Sequence, residues 1–165
     1  MKQILKKSKI LSFVFLLFLM SCSGNKRNQI YLDYINNTIP KLEEYDKKVI
    51  ESFREVTGDN YIDDYEIVVQ LDKKTIPYAK ELLNYANEVY EEATIENVKN
   101  TQKIYIEWAE TYLSYFTKLK EGLLADESIK QQELDKTEKI LIEANSLLEE
   151  YQKNVEDIRF KARLN

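Results

Sequence analysis

Histidine is absent from the 165 residues, and cysteine occurs once, at Cys22. Those two scarcities remove the Cys-His and Ser-His nucleophile systems, the usual zinc and di-iron ligand sets, and any disulfide within the chain. Glycine appears three times and proline twice, too seldom for sheets joined by many tight turns, whereas abundant Leu, Glu, Lys, Gln and Ala favour long helices. No acidic residue precedes Asp33. The one long apolar run, from Ile10 to Met20 with Ser12 inside it, is about half of the roughly 20 residues needed to span a bilayer, so it is not a transmembrane helix.

What those first residues do contain is ordered. Lys2, Lys6, Lys7 and Lys9 come first, the apolar run follows, and Leu19-Met20-Ser21-Cys22 closes it. A basic start before a short apolar stretch is the pattern that export machinery reads. The closing tetrapeptide resembles the lipobox of bacterial lipoprotein precursors: an aliphatic residue, a tolerant position, a small residue, then cysteine. Met20 is the less usual occupant. The resemblance covers residues 1–22 and implies that a lipoprotein signal peptidase cuts between Ser21 and Cys22 and that the Cys22 thiol carries a diacylglyceryl group. Such chemistry requires a thiolate nucleophile, and two or more acyl chains anchor stably where one holds only marginally. Residues 1–21 are thus expected to be a signal peptide, and 22–28 a lipidated cysteine with a short polar tether. In the enterobacterial sorting rule an aspartate after the lipid cysteine retains a lipoprotein in the inner membrane. Ser23 stands there instead, which implies the periplasmic side of the outer membrane in a cell with two membranes, and the outer face of the cell membrane otherwise.

Cleavage would remove four lysines and no acids, leaving 144 residues with 20 basic and 29 acidic side chains, a net charge of −9. That charge disfavours nucleic acid and anionic lipid surfaces as partners, and the length suffices for one domain with a real core.

Apolar spacing sets the fold class. Ile95, Val98, Gln102, Tyr105, Ala109, Tyr112, Phe116, Leu119 and Leu123 alternate steps of three and four, one helix with one buried seam. Leu134, Thr137, Leu141, Ala144, Leu148, Tyr151, Val155, Ile158 and Ala162 repeat the pattern. An earlier stripe runs through Ile62, Tyr65, Val69, Ile76, Leu83, Ala86, Tyr90 and Ala93, widened by Val68, Leu71, Leu82 and Val89, and the first through Ile35, Leu42, Tyr45, Val49, Phe53 and Val56. Helices are predicted over about 29–57, 61–93, 95–124 and 127–163, with caps at Gly58, at Asp59 or Asn60, and at Asp126 or Ser128. Short connections then predict an all-α fold, an antiparallel up-down bundle of four long helices over 29–165. Thr38-Ile39-Pro40 recurs as Thr75-Ile76-Pro77, 37 residues on. Because proline lacks a backbone donor, each helix is expected to kink or restart there, as a bend around the bundle or a widened pocket.

No catalytic, metal or cofactor signature emerges. The acids Asp59, Asp63, Asp64 and Glu66 lack calcium-loop spacing, and acids at a helix start are favoured by its dipole in any case. Pairs such as Glu107 with Glu110 belong to any solvated acidic helix. The distinctive feature is tyrosine, present twelve times. Tyr105, Trp108, Tyr112 and Tyr115 crowd the third helix, and Tyr78 and Tyr85 lie off the predicted seam of the second. Such rings offer apolar area with a polar tip, suited to bundle boundaries and equally to an interaction patch. The expectation is a non-catalytic envelope lipoprotein, held to a membrane through Cys22 and engaging an envelope protein partner, with no cofactor. The alternative is a bundle that binds a small apolar or aromatic ligand.

Overall fold

Four helices arise where the apolar periodicity places them. The computed structural model describes residues 26–164, so the signal sequence, Ser21 and Cys22 lie outside the described residues. Helix α1 covers 26–54, α2 64–92, α3 Glu96–Leu123 and α4 Glu127–Leu164. Among the described residues there is no strand, and the four helices pack together around one core. No described helix is long and apolar enough to cross a membrane.

The third seam is buried much as its spacing requires, with Val98, Gln102, Tyr105, Ala109 and Phe116 inside and Tyr112, Leu119 and Leu123 at its margins. The second differs. Ile62 is 73% exposed and Tyr65 70%, because residues 61–63 are not helical and α2 begins at Asp64. Its buried seam runs through Leu71, Leu82 and Ala86 of the expected stripe and through Ile67, Thr75 and Ala79, which the spacing does not pick out. Three successive steps of four would drift off one face of an ideal α-helix. They stay in line because Leu71–Thr75 is a π-turn, whose i→i+5 closure takes up one extra residue.

The same device occurs in α1. Tyr34–Thr38 is a π-turn and the Ile39 amide donates to the Tyr34 carbonyl, just as the Ile76 amide donates to that of Leu71. Each turn ends directly before an Ile-Pro pair, so the two Thr-Ile-Pro segments are local structural echoes. The missing proline donors are absorbed there. Neither helix breaks: Thr38, Ile39, Thr75 and Ile76 all keep right-handed helical dihedrals.

The cap of α2 is Asp63, whose carboxylate accepts from the Glu66 amide at 2.9 Å, rather than Asp59 or Asn60. Those two lie in the 3₁₀ turn Gly58–Asn60, which the positive φ of 63° at Gly58 makes possible. Asp126 precedes α4, its carbonyl accepting from Ile129 and Lys130. Gly122 has a packing role beyond marking a turn: a Cβ there would stand 3.2 Å from Leu134 Cδ2, so its bareness lets α4 approach α3.

Candidate functional site: an aromatic groove and an apolar tip

Polar groups buried in a helical interior must find partners, and most here do. Tyr34 donates to Gln102 Oε1 at 3.0 Å, and Gln102 Nε2 donates to the Ala86 carbonyl at 2.9 Å, tying α1, α3 and α2 through a fully buried amide. Ser52 Oγ lies 3.0 Å from Thr75 Oγ1, inside the second π-turn. Gln70 and Lys74 on either side reach Glu55 Oε2, each at 2.7 Å. Asp72, which falls between apolar seam positions in the sequence, turns outward to Lys120. That ammonium holds its carboxyl below the usual range.

Three shielded oxygens are exceptions among the described residues, Asn28 Oδ1, Asp46 Oδ1 and the Tyr151 hydroxyl, and the last two belong to residues that border one groove. Asp46 Oδ1 and the Tyr151 hydroxyl are both shielded from solvent and both lack a hydrogen bond of acceptable geometry, although the Tyr34 hydroxyl neighbours Tyr151. Other atoms of Asp46 and Tyr151 line a groove of about 720 Å³, a volume in the range of small-molecule sites. The groove exists because α4 packs along α3 while meeting α1 only at isolated points. Ile39, Leu42, Tyr105, Trp108, Tyr151 and Val155 give it an apolar, aromatic lining. Tyr105 packs on Trp108 with ring centres 4.8 Å apart and on Tyr151 at 4.7 Å.

Charge in the groove is uneven. Glu43 and Asp46, three residues apart on one face of α1, make no ion pair among the described residues. On α4, Arg159 is paired with Glu156 at 2.6 Å, and Glu149 and Lys153 complete the charged lining. Burial, followed by repulsion from Glu43, pushes the Asp46 carboxyl up to about 6. Burial likewise raises Tyr105 and Tyr112, with Asp46 adding to both.

The six aromatic residues singled out in the sequence divide between places. Tyr105 and Trp108 are buried and line the groove. Tyr112 stacks on Trp108 at 5.2 Å and Tyr115 follows at 6.4 Å, a ladder along α3 whose lower end meets Phe53 and Phe116. Tyr85 stacks on Tyr45 at 5.2 Å on the α1–α2 seam, with Lys41 above its ring. Tyr78 is half-buried against the core and joins none of these ring contacts. Asp46 and Glu43 carried no sequence signal, since an acid near an apolar seam is ordinary. Only the gap between α1 and α4 gives them meaning.

A second feature lies at one end of the molecule. Tyr61, Ile62 and Tyr65 before and within the first turn of α2, and Leu124 and Ile129 around the α3–α4 turn, are large apolar side chains left exposed. An ion pair of 2.7 Å between Asp64 and Lys130 joins the two connections, so the five side chains share one tip. The acidic group noted in the sequence is used locally: Asp63 as the cap, Asp64 in that pair. Among the described residues no group of three or more His, Cys, Asp or Glu is placed to hold a metal ion. No family, curated protein or solved structure matches the chain.

Proposed function

We propose that the chain is the precursor of a lipid-anchored bacterial envelope lipoprotein whose helical domain is a non-catalytic module for engaging a protein partner. The address rests on the lysine-rich start, the eleven-residue apolar run and the lipobox ending in Cys22. On this reading the anchor sits on the periplasmic side of the outer membrane in a two-membrane cell, or on the outer face of a single membrane. We read the domain as an up-down antiparallel bundle, supported by cross-helix pairs in which one residue number rises as the other falls. Such pairs are Tyr45–Tyr85 with Ser52–Thr75, Gln102–Ala86 with Lys120–Asp72, and Tyr105–Tyr151 with Gly122–Leu134.

The observation that carries the interaction reading is the exposed tip. In this topology Tyr61, Ile62, Tyr65, Leu124 and Ile129 lie at the far end of α1 from the tether, about 40 Å away for a helix of this length. Clustered exposed apolar side chains cost solubility unless a partner covers them. Asp59, Asp63, Glu66 and Asp126 surround them with exposed acid, so the partner that fits is a protein segment with apolar anchors and basic flanks. The test is a photo-crosslinker at Tyr65 compared with one at Phe160, which is exposed but on the last helix. A discrete adduct at Tyr65 alone, lost with Ile62→Asp, is expected. Equal labelling at both sites, or none at either, would overturn the reading.

The groove favours a second reading, in which the bundle binds a small ligand against its aromatic floor. An open groove of about 720 Å³ lined by Tyr105, Trp108 and Tyr151 is the support for it.

A further inference from the structure

Acidic overall, the chain reverses sign along one edge. Residues 26–32 contain Lys26 and Arg27 and no acid, and residues 158–164 contain Arg159, Lys161 and Arg163 and no acid. Both stretches lie at the tether end of the bundle. Ile39 on α1 and Val155 on α4 line the same groove, and in the antiparallel reading Leu32 and Phe160 lie about 10 and 8 Å beyond them toward that end. These two are large apolar side chains left exposed, Leu32 at 43% and Phe160 at 60%. Lys26, Arg27 and Arg163 are exposed too and make no ion pair among the described residues. Arg159 is held by Glu156 and Lys161 by Asp157, one turn further in. The other acids of this end lie elsewhere: Asp33 lines a pocket with Tyr85 and Glu92 on the α2 side, and Glu88, Glu91 and Glu96 belong to α2 and α3. The basic edge is that of α1 and α4.

Lys26 comes four residues after Cys22, so a lipid on that cysteine holds the start of α1 within about 14 Å of the bilayer surface. Anionic headgroups attract lysine and arginine over about a Debye length, roughly 8 Å at physiological salt. An exposed phenyl ring and a leucine gain by entering the headgroup boundary. The opposite tip differs on both counts, since acids surround its apolar side chains and it stands a helix length from the tether.

Resting on the lipid-anchored reading, we propose that the α1–α4 edge at the tether end is a contact surface for anionic phospholipid, with Lys26, Arg27 and Arg163 meeting headgroups and Leu32 and Phe160 entering the interface. Such contact sets the posture of the domain: this edge rests on the bilayer, the acidic ends of α2 and α3 lean away from it, and the tip projects outward.

The full chain is expressed in a host that processes lipoproteins, and the intact mass of the product reports lipid on Cys22. Phe160→Trp and, separately, Ile142→Trp chains are reconstituted into vesicles of phosphatidylcholine and of its equal mixture with phosphatidylglycerol, with and without a spin-labelled phospholipid that quenches tryptophan on contact. Ile142 is 62% exposed in the middle of α4, and the native Trp108, 3% exposed, adds a constant background. Because the lipid on Cys22 holds the chain to either vesicle, quenching reads posture and not attachment. Quenching in the anionic vesicles should be at least about twofold stronger for Phe160→Trp than for Ile142→Trp. It should fall to the Ile142→Trp level in phosphatidylcholine alone, or when Lys26→Glu and Arg163→Glu are added. A lipidated chain whose two positions are quenched alike, or whose Phe160→Trp signal ignores headgroup charge, would overturn the contact and leave the anchor standing. Protein capture by a photo-crosslinker at Phe160 would assign this edge to a protein and overturn it as well. A product without lipid on Cys22 would overturn the anchored reading and the proposal with it.

Discussion

A carboxylate that is shielded, unpaired and close to another carboxylate works against folding, and Asp46 is in that position. Its pKa of about 6 in the folded chain exceeds the ordinary aspartate value of 3.8. Between those two values the folded state holds more protons than the unfolded state, so stability falls as pH rises through the interval. Below it both states are protonated and the cost vanishes; above it the cost is fully present. Asp46→Asn removes the charge at nearly constant shape and should stabilise the chain at pH 7.5 by about 1 to 3 kcal/mol. In urea unfolding that gain should shrink to near nothing at pH 3.5. A gain equal at both pH values would trace it to packing and sink the electrostatic account. Gln102 is the opposite case, a buried polar side chain whose groups are used. Gln102→Ala strands the Tyr34 hydroxyl and opens a cavity, a loss of about 2 to 4 kcal/mol. Tyr34→Phe added to Gln102→Leu should recover part of it, because both polar partners are then gone. Additive losses in that double variant would show that the Tyr34–Gln102 bond is not what couples α1 to α3.

At the scale of the element, the π-turns decide which residues face inward. The seam of α2 continues from Ile67 and Leu71 to Ala79 and Ala86 because Leu71–Thr75 holds one residue more than an α-turn would. Deleting the exposed Lys73 would let the segment relax to α-helix and turn Ile67 and Leu71 away from the core. At about 1.5 to 3 kcal/mol for each buried side chain, the deletion should cost roughly 3 to 5 kcal/mol, whereas Lys73→Ala should change stability by less than about 0.5 kcal/mol. Thermal melts of the two variants check this, and a mild deletion would mean that the extra residue is slack rather than register. This element also marks the limit of what the chain discloses before folding. The α3 seam was legible from Ile95 to Leu123 because nothing in that helix departs from 3.6 residues per turn. In α2 a single ideal period, carried across the π-turn, centres the inner face on Val69, Ile76 and Leu83, places Leu71 and Leu82 only at its widened edge, and omits Ile67, Thr75 and Ala79. It also draws inward Ile62, which precedes the helix, and Tyr65, which faces solvent from its first turn. The prolines announced an irregularity at the right places, but proline chemistry alone does not say whether the helix will bend, stop or add a residue. The groove was less legible still, since Glu43 and Asp46 acquire a role only from the separation of α1 and α4, which no local pattern encodes.

Considered whole, the molecule is three mutually braced helices with a fourth laid along one of them. Helices α1, α2 and α3 are joined through the Tyr34–Gln102–Ala86 linkage, the Ser52–Thr75 contact and the Phe53–Phe116 packing. Helix α4 buries Thr137, Ala144, Tyr151, Val155 and Ile158, leaving Leu134, Leu141 and Leu148 of its expected seam only half-covered. Its ion pair to α2, Lys130 with Asp64, lies partly in solvent and is correspondingly weak. Regions with few buried contacts open below the global unfolding free energy. Amides of residues 137–158 should therefore exchange through an opening at least about 1 kcal/mol less costly than that of residues 101–116. Peptide-level hydrogen exchange under native conditions measures both. If the two segments exchange at the same free energy, α4 opens only when everything does and the groove has a fixed width. If α4 opens first, protection in 137–158 falls below that in 101–116, and the α1–α4 groove widens before the rest of the fold is lost.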